Sequence, residues 1–308
     1  MSKKTSYYLG IILTIIIGTI LYIYLCCSVC CGKDGCENKK TETESVVMPD
    51  IKEVTKNAFY ISDADGDFNI KFNDNFNFTT SDFAILEPVS ENVENGVSKL
   101  KTYLLDNPLK TVDITGFYKS DEANNSAYPN LGLARANAVK NYLILHDVSS
   151  KQIDTYGALN DAITPNDSNT LFGPVKFGIQ TIDASNTAAL EAACDALRAN
   201  PLVLHFQTGQ ASINLTPEQR QKIADMSHCV DKLGVKLQVV GHTDNTGNAA
   251  NNVILGKKRA DFAKGYLVKN GILENTIVTS SKGPHAPIAD NATEAGRAEN
   301  RRTEITIN

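Results

Sequence analysis

The sequence predicts an α/β (α+β) protein in which two tandem βαβαβ sandwich domains follow one N-terminal transmembrane helix. Three observations support this prediction. An uncharged and largely apolar run occupies residues 7–29. Roughly the last hundred residues alternate between segments with strand periodicity and segments with helix periodicity. A similar order of segments recurs in the middle of the chain as an internal repeat.

The composition is that of a globular protein with a slight excess of acidic residues. The 308 residues carry a formal net charge of −5, and 21% of them are charged. No basic block of the kind used by nucleic-acid-binding proteins is present, so nucleic acid is not expected as a partner. The length accommodates about two domains and additional segments.

The apolar run has the features of a membrane anchor. About twenty apolar residues are enough for one helix to span a bilayer, and Lys3 and Lys4 predict a cytoplasmic N-terminus. The remaining domains of this single-pass membrane protein would then lie in the periplasm. A cleaved signal peptide and an outer-membrane lipoprotein signal are the alternatives. Val29 precedes the candidate lipidated Cys30, where such a signal carries a small residue.

Seven cysteines divide into a cluster at the end of the apolar run and an isolated pair. The cluster could bind a metal or carry acyl chains, but small apolar residues at a membrane boundary are the favoured interpretation. Some of them would be joined between neighbouring chains. Cys194 and Cys229 each lie on a predicted helix, where they either form a disulfide or stay two buried thiols. The cluster contains Cys26, Cys27, Cys30, Cys31 and Cys36.

The first helix of the C-terminal domain has clear end signals. Thr216 is a suitable N-cap, Pro217 takes the first helical position, and Gln219 completes a capping box. Gly234 ends the helix. One face of this helix is apolar, with residues at three- and four-residue spacing: Ile223, Met226, Val230 and Leu233.

The remaining elements of this domain follow in alternation. Residues 235–240 predict a strand, and a second helix continues to about residue 270, where Gly271 ends it. Residues 276–279 and 303–307 predict further strands. The order is that of helices packed on one side of a sheet.

A short polar loop between this strand and the second helix brings an acid and a base together. Asp244 lies in the loop, and Arg259 lies on the helix that follows. A carboxylate attracts an ammonium group, and a guanidinium forms a fork of hydrogen bonds with a carboxylate. The pair therefore suits a zwitterionic ligand.

The residues around this loop resemble the OmpA-like peptidoglycan-binding domain. Residues 204–209 are similar to the first strand and turn of that family, and residues 296–302 to its closing segment. Several fixed spacings agree over about a hundred residues, which makes the match specific. The matching residues of the loop and helix are Thr243, Asp244, Gly247, Asn252, Leu255, Gly256, Arg259 and Ala260.

The resemblance implies a ligand and its binding residues. The ligand would be the meso-diaminopimelate of the peptidoglycan stem peptide, with Asp244 on its ammonium and Arg259 on its carboxylate. Asn300 and Arg302 would brace the loop. The other residues expected at the ligand, as orienting groups, apolar floor or further contacts, are Thr243, Asn245, Asn252, Phe206, Thr208, Leu255 and Arg301.

These assignments have structural alternatives. Asp244 and Arg259 could form a surface ion pair, which contributes less than about 1 kcal/mol. Phe206 and Leu255 could belong to the core, and Asn252 could only hold the loop by capping.

The middle of the chain repeats the C-terminal pattern and is similar to a second, divergent OmpA-like domain. Phe117, Tyr118 and Lys119 replace the His-Thr-Asp of the loop, while Arg135 remains. A lysine at the ammonium-binding position repels the diaminopimelate ligand, so Arg135 is expected to form a structural ion pair, with Asp121 within reach. This domain would bind something else, act as a spacer, or dock a protein partner. The paired segments are 76–81 with 204–209, 112–116 with 237–241, 131–136 with 255–260, and 141–143 with 265–267.

Two further elements complete the prediction. Residues 58–63 and 67–72 alternate as strands, and the acidic segment 63–66 between them predicts a hairpin turn in preference to a calcium loop. Residues 185–200 have helical spacing and would link the two domains. The expected domains are the anchor (1–31), a polar linker (32–56), the divergent domain (57–183), the linker helix (184–200) and the peptidoglycan-binding domain (201–308).

No catalytic residue, metal site or cofactor is expected. The sequence has no Gly-x-Ser-x-Gly elbow, no placed pair of carboxylates, and no cluster of metal ligands beyond the anchor. His242 has no second ligand at metal-binding spacing and is expected to be a hydrogen-bonded loop histidine.

The layout also resembles stator subunits of flagellar type, which carry a proton-binding Asp within the membrane helix. No Asp, Glu or His lies in residues 7–29, which argues against a motor. The sequence therefore predicts a non-enzymatic cell-wall tether of a Gram-negative envelope, with an envelope scaffold as the alternative.

Overall fold

The computed structural model describes residue 17 and residues 53–66, 68–182, 185–205 and 213–308. The predicted anchor, apart from residue 17, and its cysteine cluster lie outside the described residues, as do Phe206 and Thr208. Within the described ranges, no helix has the length and apolar character needed to cross a membrane. Both repeats belong to one compact unit, Lys52–Asn308.

Six helices and eleven strands are described in this part of the chain. The helices are α1 Glu91–Asp106, α2 Leu131–Leu145, α3 Ser185–Ala199, α4 Pro217–Leu233, α5 Ala249–Lys269 and α6 Glu294–Asn300. The strands are β1 Phe59–Ser62, β2 Asn69–Phe72, β3 Asn77–Thr79, β4 Lys110–Tyr118, β5 Ile153–Leu159, β6 Thr170–Phe172, β7 Val175–Thr181, β8 Leu202–His205, β9 Leu237–His242, β10 Ile277–Gly283 and β11 Arg302–Ile307.

The second repeat has the predicted alternation of strands and helices around one sheet. The strand order is β10-β9-β11-β8, with β10 parallel to β9 and β11 antiparallel to both β9 and β8. Helices α4 and α5 contribute apolar side chains to a core that also contains Leu237, Val239 and Ile305 of the sheet.

The predicted start and end of α4 are confirmed. The Thr216 hydroxyl accepts from the Gln219 backbone N–H at 3.2 Å, and the Gln219 side chain accepts from the Thr216 N–H at 3.0 Å. Gly234 follows the helix with φ +69°, the left-handed region that glycine adopts at low cost.

Strand β9 ends two residues later than predicted, at His242 instead of residue 240. It pairs with β10 as far as Gly283, so the sheet continues up to the candidate site. The polar loop therefore begins at Thr243.

The first repeat has the predicted βαβαβ order, β3-α1-β4-α2-β5, but its strands do not all join one sheet. Its main sheet has three strands, in the order β5-β4-β7, and β3 pairs with β6 in a separate two-stranded sheet. The place beside β7 is taken by the β1–β2 hairpin, with the rings of Phe59 and Phe177 4.8 Å apart.

The predicted hairpin turn between β1 and β2 is confirmed. The Asp63 carboxylate accepts from the Asp65 backbone N–H at 3.0 Å, as in an Asx turn. It also accepts from the Tyr103 hydroxyl and lies 3.0 Å from the Lys110 ammonium. These contacts tie the turn to α1 and β4.

Paired glycines set the distance between helix and strand in both repeats. A Cβ on Gly241 would lie 1.8 Å from the carbonyl oxygen of Gly256, and one on Gly116 would lie 2.0 Å from that of Gly132. Helices α2 and α5 therefore lie directly on β4 and β9, and the arginine that follows each helical glycine is held over the end of the strand.

The linker helix α3 belongs to the second repeat. A disulfide joins Cys194 of α3 to Cys229 of α4, so the two residues form a bridge and are not separate thiols. Leu190 and Leu197 pack against the core of the second repeat.

The first repeat docks on the second through buried polar contacts. Lys140 and Asp231 form an ion pair at 2.5 Å. The Ala127 backbone N–H donates to the Asn270 side chain at 2.7 Å, and the Tyr128 hydroxyl lies 3.4 Å from that of Ser227. Ala127 contributes to the core of the second repeat. The two repeats therefore contact each other directly through these residues.

The glycine contact predicts a large cost for a single methyl group. Gly241→Ala should lower the free energy of unfolding by about 3 kcal/mol, because the new Cβ overlaps backbone that cannot move aside. Urea unfolding measures the change. The control is Gly265→Ala on α5, where a Cβ has open space and helix propensity predicts a neutral or stabilising effect. Equal effects of the two substitutions would contradict the role given to the contact.

Candidate functional site

The site is built where β9 passes into α5. Residues 243–248 form the connecting loop, and the Asn248 side chain caps the helix by accepting from the Asn251 N–H at 3.1 Å. Gly247 has φ +88°, which an L side chain rarely adopts. The loop is therefore short and constrained at its end.

The carboxylate of Asp244 is held from two sides. Its Oδ2 lies 2.9 Å from Nη1 of Arg301, and its Oδ1 accepts from the Thr246 backbone N–H at 3.0 Å. Burial alone would raise the pKa of Asp244, but these hydrogen bonds outweigh it and hold the pKa below its ordinary value. Asp244 is therefore a fixed anion at neutral pH.

Arg301 connects this loop to helix α6. Its second terminal nitrogen donates to the Glu294 carboxylate at 2.9 Å. The hydrogen bond to Asp244 is the main cause that raises the pKa of Arg301. From the sequence, Arg301 is expected to contact the ligand, and the structure places its guanidinium on Asp244, the acid predicted to bind the ligand's ammonium.

Arg259 has a different environment. Its Nη1 donates to the carbonyl oxygen of His242 at 3.1 Å. Among the described residues, no carboxylate lies within 4 Å of its guanidinium, so Asp244 and Arg259 do not form the alternative surface ion pair. Burial lowers the pKa of Arg259, and the charge of Asp244 opposes this effect. The half-buried guanidinium of Arg259 is thus held mainly by a backbone carbonyl oxygen, and the nearby Asp244 carboxylate binds Arg301 instead.

Three predicted orienting residues shape the loop. The Asn252 side chain donates to the carbonyl oxygen of Thr246 at 2.9 Å, and the Thr243 hydroxyl donates to that of Asp244 at 2.8 Å. Asn245 is exposed, and its backbone N–H donates to the Asn291 side chain at 3.3 Å. Asn252 and Thr243 therefore hold the loop, and the Asn245 side chain is exposed on it.

A second loop, residues 284–293, lies beside the first and is braced from α6 and β11. The Asn300 side chain accepts from the Ile288 N–H at 2.7 Å and donates to the Asn291 side chain at 3.0 Å. Arg302 donates to the carbonyl oxygen of Ala286 at 3.2 Å. Asn300 and Arg302 therefore brace this second loop, whereas the expectation from the sequence is that they brace the loop that carries Asp244.

Leu255 is 42% exposed on α5 and is not a core residue. Its exposed side chain is compatible with the apolar floor expected from the sequence.

The expectation of a hydrogen-bonded loop histidine at position 242 is wrong. His242 is the last residue of β9 and is 1% exposed. Among the described residues, neither ring nitrogen has a hydrogen-bond partner, although Nε2 lies 3.5 Å from a Glu304 carboxylate oxygen. Burial, followed by the charge of Arg302, lowers the pKa of His242. The ring is buried because the strand extends two residues further than predicted.

The equivalent arginine of the first repeat, Arg135, is engaged completely. It forms the expected structural ion pair, but with Glu122, at 2.5 and 3.0 Å, and not with Asp121. Asp121 is turned to the Lys119 ammonium at 3.1 Å. Two adjacent acids in a loop carry no sequence signal for which of them faces inward.

Comparison with known proteins identifies the same two regions as the internal repeat. A model of the OmpA family matches residues 77–171 and 205–301. Outer membrane protein A of Bordetella avium is 44% identical over 96 residues, which cover 30% of this chain and 48% of that protein. Peptidoglycan-binding protein ArfA of Mycobacterium tuberculosis is 36% identical over 122 residues, covering 39% of this chain and 36% of the relative.

A third relative is the peptidoglycan-associated lipoprotein of Buchnera aphidicola. It is 40% identical over 70 residues, which cover 23% of this chain and 40% of the lipoprotein. The chain thus spans less than half the length of each of these three curated relatives.

The contact between Asp244 and Arg301 predicts a pKa that depends on one neighbour. Burial raises the pKa of Asp244, but the hydrogen bonds from Arg301 and Thr246 hold it below its ordinary value. The stability that the pair contributes is therefore present above about pH 4 and lost as the pH falls further. In Arg301→Gln the pKa should rise, because burial then acts without the guanidinium. An NMR titration of the Asp244 carboxyl carbon measures both. Arg297→Gln, which removes an arginine that binds Glu294, is the control, and an equal shift in both variants would contradict the assignment.

Proposed function

Because the chain belongs to the OmpA family, we propose that it is a non-enzymatic peptidoglycan-binding protein of the cell envelope. Its second repeat recognises the diaminopimelate of the stem peptide without covalent chemistry. Two of the relatives named above are described as peptidoglycan-binding or peptidoglycan-associated, which supports the choice of polymer. The choice of diaminopimelate rests on what the family resemblance implies, and the opposite charges of Asp244 and Arg259 suit such a zwitterionic amino acid.

The observation that supports this ligand best is the difference between two equivalent arginines. Arg135 and Arg259 each donate to the carbonyl oxygen of the strand residue after the paired glycine, Phe117 at 2.9 Å and His242 at 3.1 Å. Arg135 also holds the Glu122 carboxylate with two N–H groups. By this internal comparison, the free side of Arg259 is a carboxylate position that a ligand fills.

The ammonium of the same ligand centre would bind Asp244. That carboxylate is fixed by Arg301 and the Thr246 N–H, and a carboxylate has about four acceptor sites, so it can accept further donors. Acid and base are then presented to opposite charges of one amino-acid centre. Arg301 acts here as a positioning residue for Asp244.

The remaining binding residues have supporting roles in this proposal. Thr243 and Asn252 keep the loop in place, and exposed Asn245 offers its side-chain amide to the peptide. Leu255, with Phe206 and Thr208 from the segment after β8, would line the site beside the methylene chain of the diaminopimelate.

Attachment to a membrane completes the proposal. The apolar segment before residue 31 would anchor the chain as a single-pass helix, with an outer-membrane lipoprotein as the alternative. The Cys194–Cys229 disulfide supports placement of the folded unit in an oxidising compartment such as the periplasm. The protein would then tie a membrane to the wall.

Calorimetry with a soluble stem peptide that contains meso-diaminopimelate tests the two charged residues. Arg259→Ala and Asp244→Asn should each weaken binding by about 2–5 kcal/mol, because each leaves one ligand charge unmatched. Lys258→Ala removes a neighbouring, exposed cation of α5 and should leave the affinity unchanged. A stem peptide with lysine in place of diaminopimelate lacks the second carboxylate and should bind weakly. Wild-type affinity in both site variants would remove the assignment.

The absence of catalysis is tested on intact cell-wall sacculi. Incubation with the purified protein should sediment the protein with the sacculi and release no soluble muropeptides, because binding here needs no bond cleavage. Chromatography of the supernatant provides the measurement, with a muramidase as the positive control. Fragments that accumulate with time would establish an enzyme.

A further inference from the structure

Arg135 of the first repeat is a completely satisfied buried cation. Its side chain has no solvent exposure, and neither has that of Glu122. Besides the two bonds to Glu122, it donates to the carbonyl oxygens of Phe117, Asp82 and Thr79. No N–H group of this guanidinium remains for a ligand, in contrast to Arg259.

The Glu122 carboxylate is equally saturated. One oxygen accepts from the Ser81 N–H and the other from the Lys119 N–H, both at 2.8 Å. Burial alone would raise the pKa of Glu122, but the hydrogen bonds from Arg135 and from these backbone groups keep it below its ordinary value. The Glu122 carboxylate therefore stays ionised, with hydrogen-bond donors on both of its oxygens.

From this we infer that the first repeat carries its own ligand: Glu122 occupies the carboxylate position that the second repeat leaves open beside Arg259. The Arg135 site binds carboxylates, and the chain itself supplies the occupant. The first repeat is consequently closed to stem peptides. That last statement rests on the proposed function, whereas the occupancy of the Arg135 site does not.

The loop that carries Glu122 explains why the site stays closed. Helix α2 begins one residue before Gly132, whereas α5 begins seven residues before Gly256. The first repeat thus lacks about two helical turns, and Pro129 disfavours helix in the residue before it. The segment that would form these turns is an extended loop instead.

The far end of this loop holds the two repeats together. Ala127 donates to Asn270, and Tyr128 is buried against Ser227. Withdrawing Glu122 to admit a ligand would therefore disturb the contact between the repeats. One loop both fills the Arg135 site and docks the first repeat.

Chemical rescue of the full-length protein tests the occupancy. Glu122→Ala should lower the melting temperature by about 10 °C, because a buried guanidinium loses its partner. Acetate, a free carboxylate, should recover much of this loss in a saturable way, and chloride at equal ionic strength should not. Asp121→Ala, which removes the exposed neighbouring acid, and the wild type should show no specific response to acetate. If Glu122→Ala does not fold alone, refolding in acetate against chloride makes the same comparison.

No difference between acetate and chloride in Glu122→Ala would overturn the inference. The inference also predicts that the first repeat does not bind stem peptides, and the stoichiometry of stem-peptide binding to the wild type tests this. One peptide per chain, lost completely in Arg259→Ala, is expected, and two peptides would show that the first repeat is open. No binding at all would contradict the proposed function alone, since the acetate comparison still decides the occupancy of the Arg135 site.

Discussion

The close approach of two backbones is the constraint on which the site depends. Gly241 and Gly256 allow α5 to lie on β9 with no side chain between them. Arg259, three residues after Gly256, is thereby held against the carbonyl oxygen at the end of the strand. The same contact between Gly116 and Gly132 places Arg135 in the first repeat. The position of both arginines thus follows from the paired glycines. It does not follow from the loop that joins each strand to its helix.

The two repeats use this common frame for different purposes. In the second, a short loop presents Asp244 beside Arg259, whose guanidinium donates, among the described residues, to the His242 carbonyl oxygen alone. In the first, a longer loop returns Glu122 to the arginine and sends Ala127 and Tyr128 into the neighbouring repeat. One copy has kept an open polar site, and the other has used the same side-chain chemistry for packing and docking.

The sequence predicts contacts between residues that are close along the chain, but it does not predict which distant residues pair. The capping box at Thr216 and the turn at Asp63 depend on residues within four positions of each other. The contact of Asp244 with Arg301 joins residues 57 positions apart, and no spacing rule predicts it. The choice of Glu122 over Asp121 depends on which side of a loop faces inward. His242 was misassigned because a strand two residues longer buries the next side chain in the sheet.

The bridge between α3 and α4 has a mechanical consequence. If the chain is held by a membrane at one end and by the wall at the other, as proposed, tension would enter the second repeat through α3. Among the described strands, the first strand after that helix, β8, is an edge strand whose one neighbour is β11. When an antiparallel edge strand is pulled from one end, its hydrogen bonds to the neighbouring strand break one after another. The covalent bond at Cys194 lies before β8 in the chain and passes the force into α4 instead. In the proposed tether, the disulfide would thereby shield the edge strand β8 from the load.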